Sequence, residues 1–333
     1  MTTSLSGVES ARGALSAASA RGHGGRAALH QFSDCVDHLL QRLFDEAPGS
    51  GLSSLVVALG GYGRRQLCLQ SDIDILLLFD GPIGAAEEGR VRSILHPLWD
   101  LHFSVGHQIR QMDDFAELEI DNPEFLLALL DARAVAGDRI LLEGIAARVR
   151  TPAAHARILE ALRRLIDDRH ARFNDTFYQL EPDIKDAPGA LRDLWAARTI
   201  AALTDPTLID RGPTDRARLD EAEEFLLRVR SILHARHKRN QNVLNHESQE
   251  HAALLMGYTG EPRHQVERLM GDYFRHARAV SRSLEWVRQA APVPVAPNLV
   301  RSRDGIRFVD NQLSGWPSAW SASMRTPRWR TTR

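Results

Sequence analysis

The segment LVVALGGYGRRQLCLQSDIDILLLF (55–79) decides how the rest of the chain is read. Leu55-Val56-Val57-Ala58-Leu59 is a continuous apolar run of strand length that stops at Gly60-Gly61. Ile73-Asp74-Ile75-Leu76-Leu77-Leu78-Phe79 is a second such run, rich in branched residues. Asp72 and Asp74 stand two apart at its start, so in an extended chain both carboxylates point to the same side. Two like charges on a strand built for burial need compensation, because desolvating carboxylates is costly. A cation provides it.

Outward from this segment, residues 27–44 carry a helical stripe of Leu29, Phe32, Val36, Leu39, Leu40 and Leu43. A second amphipathic helix is expected over about 87–103, and a third strand over 104–110 (SVGHQIR). From residue 121 the pattern turns helical almost without interruption. Helices are expected over about 124–135, 154–179, 191–203, 215–237, 249–257 and 265–289, broken by the polar loop EPDIKDAPGALRD (181–193). The fold class is therefore α/β followed by all-α. The expected organisation is a flexible leader at 1–26, a nucleotide-handling α/β domain at 27–136, a helical domain at 137–290, and a linker and disordered tail at 291–333.

Composition narrows the partners. Across 333 residues the formal net charge is −1, so no global field favours nucleic acid or an anionic membrane. Phosphate binding must come from local clusters. Two cysteines without metal or disulfide spacing fit a reducing, cytoplasmic setting. No apolar run approaches the ~20 residues of a membrane span.

GGYGRRQ is neither a P-loop nor a dinucleotide fingerprint, and glycines alone would mark only a tight connection. The sequel gives it chemistry. Glycines after one strand, then Arg64, Ser71 and the Asp72/Asp74 pair on the next, suit a nucleoside triphosphate. Gly60 and Gly61 let backbone N–H groups approach phosphate, Arg64 completes the anion site beside Ser71, and the aspartates ligate Mg²⁺. In 181–193, Lys185 and Arg192 either reach the triphosphate or the incoming substrate, or belong to a structural loop that caps the following helix. His246 and His251 are five apart rather than four, which fails the zinc motif. The basic run Arg228, Arg230, His234, Arg236 to Arg239 reads as a solvated face, with a phosphate- or partner-binding face as the alternative.

The glycine/Asp-x-Asp composite resembles the polymerase-β-type nucleotidyltransferases, and the whole segment is similar to the bacterial PII uridylyltransferase family. The resemblance continues through LWDLHFSVGHQIR (98–110), LLDARAVAGD (129–138), EPDIKDAPGALRDLW (181–195), LLRVRSILHARHKR (226–239) and VERLMGDYFRHARAVSR (266–282), in the same order. It implies Mg²⁺-dependent transfer of UMP from UTP to a tyrosine of a PII signalling protein, with Asp72 and Asp74 as the catalytic metal ligands. Transfer to another protein, or a nucleotide-binding chain without turnover, is the alternative.

The resemblance also implies differences. The family's metal-dependent uridylyl-removing hydrolase and its sensing domains have no counterpart in these residues, so removal of UMP and glutamine control are expected to be absent. The family usually has an acid where Gln66 stands, Pro at Leu69 and Gly at Ala190. A third metal carboxylate is unassigned: strand 105–110 offers only His107, and Asp113 and Asp114 lie just beyond.

Overall fold

The two apolar runs form the centre of a four-stranded sheet. In the computed structural model, which describes residues 2–49, 51–115, 122–291, 301–303, 306–309 and 312–314, β1 (Ser54–Ala58) and β2 (Ile73–Phe79) pair antiparallel, Ala58 opposite Ile75. β3 (Val105–Gln111) runs parallel to β2, and β4 (Arg133–Gly137) closes the other side of β1, giving the order β3-β2-β1-β4. Central strands covered on both faces read as unbroken hydrophobic runs. One face, with Val56, Ala58, Ile73, Ile75 and Leu77, packs on α2 (Arg26–Glu46) and α4 (Ala85–Asp100). The other, with Leu55, Val57, Leu76 and Leu78, packs on α5 (Pro123–Leu130), α6 (Ile140–Val149) and the first half of α7 (Pro152–Ala171).

Two expectations are corrected here. The helix expected over 124–135 stops at Leu130, and residues 133–137 are β4. Arg133 sits in that strand because its guanidinium grips Asp37 at 2.5 and 3.0 Å beneath Tyr62, a tertiary contact that overrides the local helical preference of an Ala-rich segment. The leader expected to be flexible forms α1 (Thr2–Ser19), which packs on α2 and on α10 (Arg216–His237). Val8, Ala11 and Leu15 make its inward stripe, and Arg12 lies over the Phe103 ring at 4.2 Å. Leu15→Ala should therefore cost about 2–4 kcal/mol of stability, read from urea unfolding; a change near zero would restore the flexible-leader reading.

The helical segment continues with α8 (Leu191–Thr204), α9 (Leu208–Arg211), α10, α11 (His246–Leu255) and α12 (Pro262–Ala290). Its residues Leu226, Leu233 and Tyr273 belong to the same core as Val56 and Ile75. Residues 1–292 accordingly form one compact unit, and the division expected at 136/137 is a change of pattern with no break in packing. Residues 293–333 are a second unit, in which β5 (Arg301–Arg303), β6 (Ile306–Val309) and β7 (Gln312–Ser314) pair antiparallel. The Trp/Arg-rich tail, 315–333, lies outside the described residues. Among the described residues no helix is long and apolar enough to cross a membrane.

Candidate active site

The connection after β1 is a single helical turn, α3 (Gly60–Gly63), whose first N–H groups have no partner within the turn. Gly60 has φ +51°, a left-handed conformation that glycine adopts without strain. A Cβ on Gly63 would stand 2.1 Å from the Asp131 carbonyl, so the close approach of the turn to the end of α5 requires glycine there. The chain then returns into β2, where the Leu59 N–H bonds the Asp74 carbonyl at 2.9 Å and sets the turn beside the aspartates.

A cleft of about 590 Å³ opens at this point, between the sheet's edge and helices α5, α7 and α8. All eight residues singled out from the sequence line it: Gly60, Gly61, Arg64, Ser71, Asp72, Asp74, Lys185 and Arg192. Asp74 is half-buried in the strand, and its Oδ1 lies 2.4 Å from where a Cβ on Gly106 of β3 would be, so glycine on the neighbouring strand makes room for the carboxylate. Asp72 is exposed and accepts from Ser104. Burial, and then the negative charge of Asp72, push Asp74 up to about 6, against the pull of Lys185 and Arg64.

The cations divide into held and free. Arg64 is half-buried, ion-paired with Asp131 and stacked on the Trp195 ring at 3.8 Å, while its Nε has no hydrogen-bond partner among the described residues. Lys185 has no hydrogen bond or ion pair to its ammonium among the described residues, and burial followed by the charges of Arg230 and Arg192 pulls its pKa down. Arg192 is tied to Asp186 at 3.1 Å on the rim. Ser71 accepts from Arg230, which α10 buries and which also bonds the Asn242 side chain at 2.9 Å. Arg230 and His234 are thus interior groups, correcting the reading of that run as a solvated face. The periodicity was available, since both fall between the apolar positions of the same helix.

The loop 181–193 combines both of its readings. Asp183 caps the turn by accepting from the Lys185 and Asp186 N–H groups at 2.8 Å, and Asp193 is fully buried against Arg169, His170 and the Gly189 N–H. That scaffold turns Lys185 into the cleft.

The third ligand is not the one sought. In the parallel register His107 pairs with Ile75 and packs edge-on against Trp99 at 5.9 Å, whereas Gln108 pairs with Leu76 on the pleat shared with Asp74. Both His107 and Gln108 line the cleft; Asp114 instead accepts from the Gln111 N–H. No set of three His, Cys, Asp or Glu forms a metal cluster among the described residues. Sequence reasoning also passed over Asp131 and Trp195, whose roles depend on long-range packing.

Divalent-metal binding fits this donor set: two same-side carboxylates, one of them raised by burial and then by the charge of its neighbour, both of which a cation would offset. A proton and the metal compete for Asp74, so Mg²⁺ should raise the melting temperature at about pH 8 and lose that effect as pH falls below about 6. An equal Mg²⁺ shift at about pH 5 would contradict this assignment.

Comparison with known proteins agrees with the geometry. A family model described as GlnD PII-uridylyltransferase matches residues 154–287. The bifunctional uridylyltransferase/uridylyl-removing enzyme of Methylococcus capsulatus is 33% identical over 271 residues, 76% of this chain and 30% of that protein. That of Vibrio parahaemolyticus is 33% identical over 265 residues, 75% of this chain and 30% of that protein. That of Burkholderia orbicola is 33% identical over 297 residues, 85% of this chain and 34% of that protein. The chain thus spans about a third of the length of the curated relatives it matches. On these matches, the chain is similar to the PII-uridylyltransferase family over the stretch they share.

Proposed function

We propose that this chain is a Mg²⁺-dependent nucleotidyltransferase that moves UMP from UTP to a tyrosine hydroxyl of a PII signalling protein, releasing pyrophosphate. The observation that carries the reading is the meeting, in one cleft, of the Asp72/Asp74 pair with Arg64 and with Lys185, whose ammonium has no partner among the described residues. The relatives' names supply the nucleotide and suggest the acceptor.

Asp72 and Asp74 would hold the metal. When bound, the metal neutralises the phosphate oxygens and stabilises the charge that develops in an in-line displacement. Lys185 and the Arg64 guanidinium, which both line the cleft, bind phosphate oxygens as charge-assisted donors in a partly desolvated setting. The apolar end of the cleft, with Phe125, Leu127, Leu162 and Ile166, excludes water and takes the flat base. The tyrosine oxygen attacks the α-phosphorus as the bond to pyrophosphate breaks. Intact-mass analysis of PII after incubation with the protein, Mg²⁺ and each of the four ribonucleoside triphosphates tests this. Addition of one UMP per PII subunit, from UTP alone, is the expected result; adduct from another nucleotide, or none, contradicts it.

A further inference from the structure

One buried carboxylate outside the cleft is tied to two residues that line it. Glu223 sits on α10 with its side chain 2% exposed and is not itself part of the cleft wall. It accepts from four donors on three different elements. Oε2 takes the guanidinium of Arg26, at the start of α2, at 2.5 Å and that of Arg198, on α8, at 2.9 Å. Oε1 takes the amide of Gln66, just past the glycine turn, at 2.8 Å and the Trp195 indole N–H, on α8, at 3.3 Å.

Charge balance alone needs only the two arginines. The two bonds to Oε1 do something else. Gln66 and Trp195 both line the cleft, and the Trp195 ring is the surface on which the Arg64 guanidinium lies, with Asp131 holding it from the side. An indole ring free to rotate about its side-chain torsions would offer Arg64 no fixed face; the bond to Glu223 removes that freedom. Gln66 takes part through its chemistry. An acid at this position, which the family resemblance leads one to expect, would set two carboxylates at hydrogen-bond distance, whereas the amide donates.

We infer that Glu223 is a positioning residue for Arg64: through Trp195 and Gln66 it fixes the guanidinium that meets the nucleotide's phosphates, coupling the helical segment to the glycine turn. The inference rests on the proposed binding of a nucleoside triphosphate in this cleft. Glu223→Gln replaces one accepting oxygen with a donor facing donors, while keeping the side chain's shape.

The test is a titration of the full chain with Mg·UTP, measuring the dissociation constant, in the unmodified protein, Glu223→Gln, Arg64→Ala and the double variant. Glu223→Gln should weaken binding about tenfold, and that loss should shrink to less than about twofold in the Arg64→Ala background, because the two act through one interaction. Trp195→Phe keeps the aromatic face but loses the N–H. It should weaken binding in the same Arg64-dependent way, by about threefold, and serves if Glu223→Gln does not fold. Unchanged affinity in a folded Glu223→Gln or Trp195→Phe protein, or an equal loss with and without Arg64, would overturn the inference while leaving the nucleotide site standing. Failure of the unmodified protein to bind Mg·UTP would overturn the parent reading, and this one with it.

Discussion

Asp74→Asn should slow nucleotidyl transfer on the order of 10³-fold, the rate equivalent of about 4 kcal/mol of lost transition-state stabilisation. The same variant should melt at a higher temperature than the unmodified protein when no metal is present. The sign follows from Asp74 lying up at about 6 in the folded chain, above the unfolded carboxylate value. Between those two values the native state binds more protons than the unfolded state, so this group's contribution to stability falls as pH rises through that window. Asparagine cannot titrate and removes that loss. The gain should be largest at about pH 8 and vanish below about pH 3, where Asp74 is protonated in both the folded and the unfolded state. Calorimetric melts across pH with chelator, beside turnover assays with Mg²⁺, give both numbers. Loss of activity with a parallel loss of stability would mean that Asp74 is a structural carboxylate.

Asp193→Asn should be the most destabilising single change in the 181–193 loop, by about 3–5 kcal/mol, because it leaves a buried arginine without its counter-charge. Asp193 is fully buried, Arg169 is 2.6 Å away and nearly as buried, and the Gly189 N–H and His170 complete its partners. Burial alone would raise the Asp193 pKa; the His170 bond and the Arg169 charge outweigh it and hold the carboxyl below its usual range. A depressed carboxylate stabilises above its unfolded pKa, and the contribution is lost as pH falls through the folded value. The destabilisation measured in urea should therefore be full at about pH 7 and shrink below about pH 4. Gly189 is part of the same unit: at φ +76°, with the Ala277 carbonyl 2.5 Å from where a Cβ would stand, it accepts no side chain. Losing this scaffold should also weaken nucleotide binding, because it is what presents Lys185.

The central strands and the Asp pair were legible because their signal is local. Both strands of 55–79 are covered on two faces, so burial alone writes them as apolar runs, and two carboxylates two residues apart on a strand share a side by geometry. Edge elements carry less. β4 is an Ala-rich strand held by Arg133 reaching Asp37, a pairing about a hundred residues apart that no window reveals. The α1 stripe of Val8, Ala11 and Leu15 was present at helical spacing but diluted by Ser, Ala and Gly. Within the site, Gly60, Asp72 and Asp74 follow from strand geometry. Lys185 enters the cleft only because Asp183 and Asp193 fold its loop, and Trp195 and Glu223 matter only through contacts with residues far away in the chain. The register places Gln108, rather than His107, on the face of Asp74, a placement that needs the strand pairing and cannot be read from one strand.

The most direct measurement is a crystal structure of the protein with Mg²⁺ and a non-hydrolysable UTP analogue. The account predicts metal bound by Asp72 and Asp74, phosphate oxygens within hydrogen-bond distance of Lys185 and the Arg64 guanidinium, and uracil against Phe125 and Leu162. Metal bound elsewhere, or phosphates that leave Lys185 and Arg64 untouched, would contradict it.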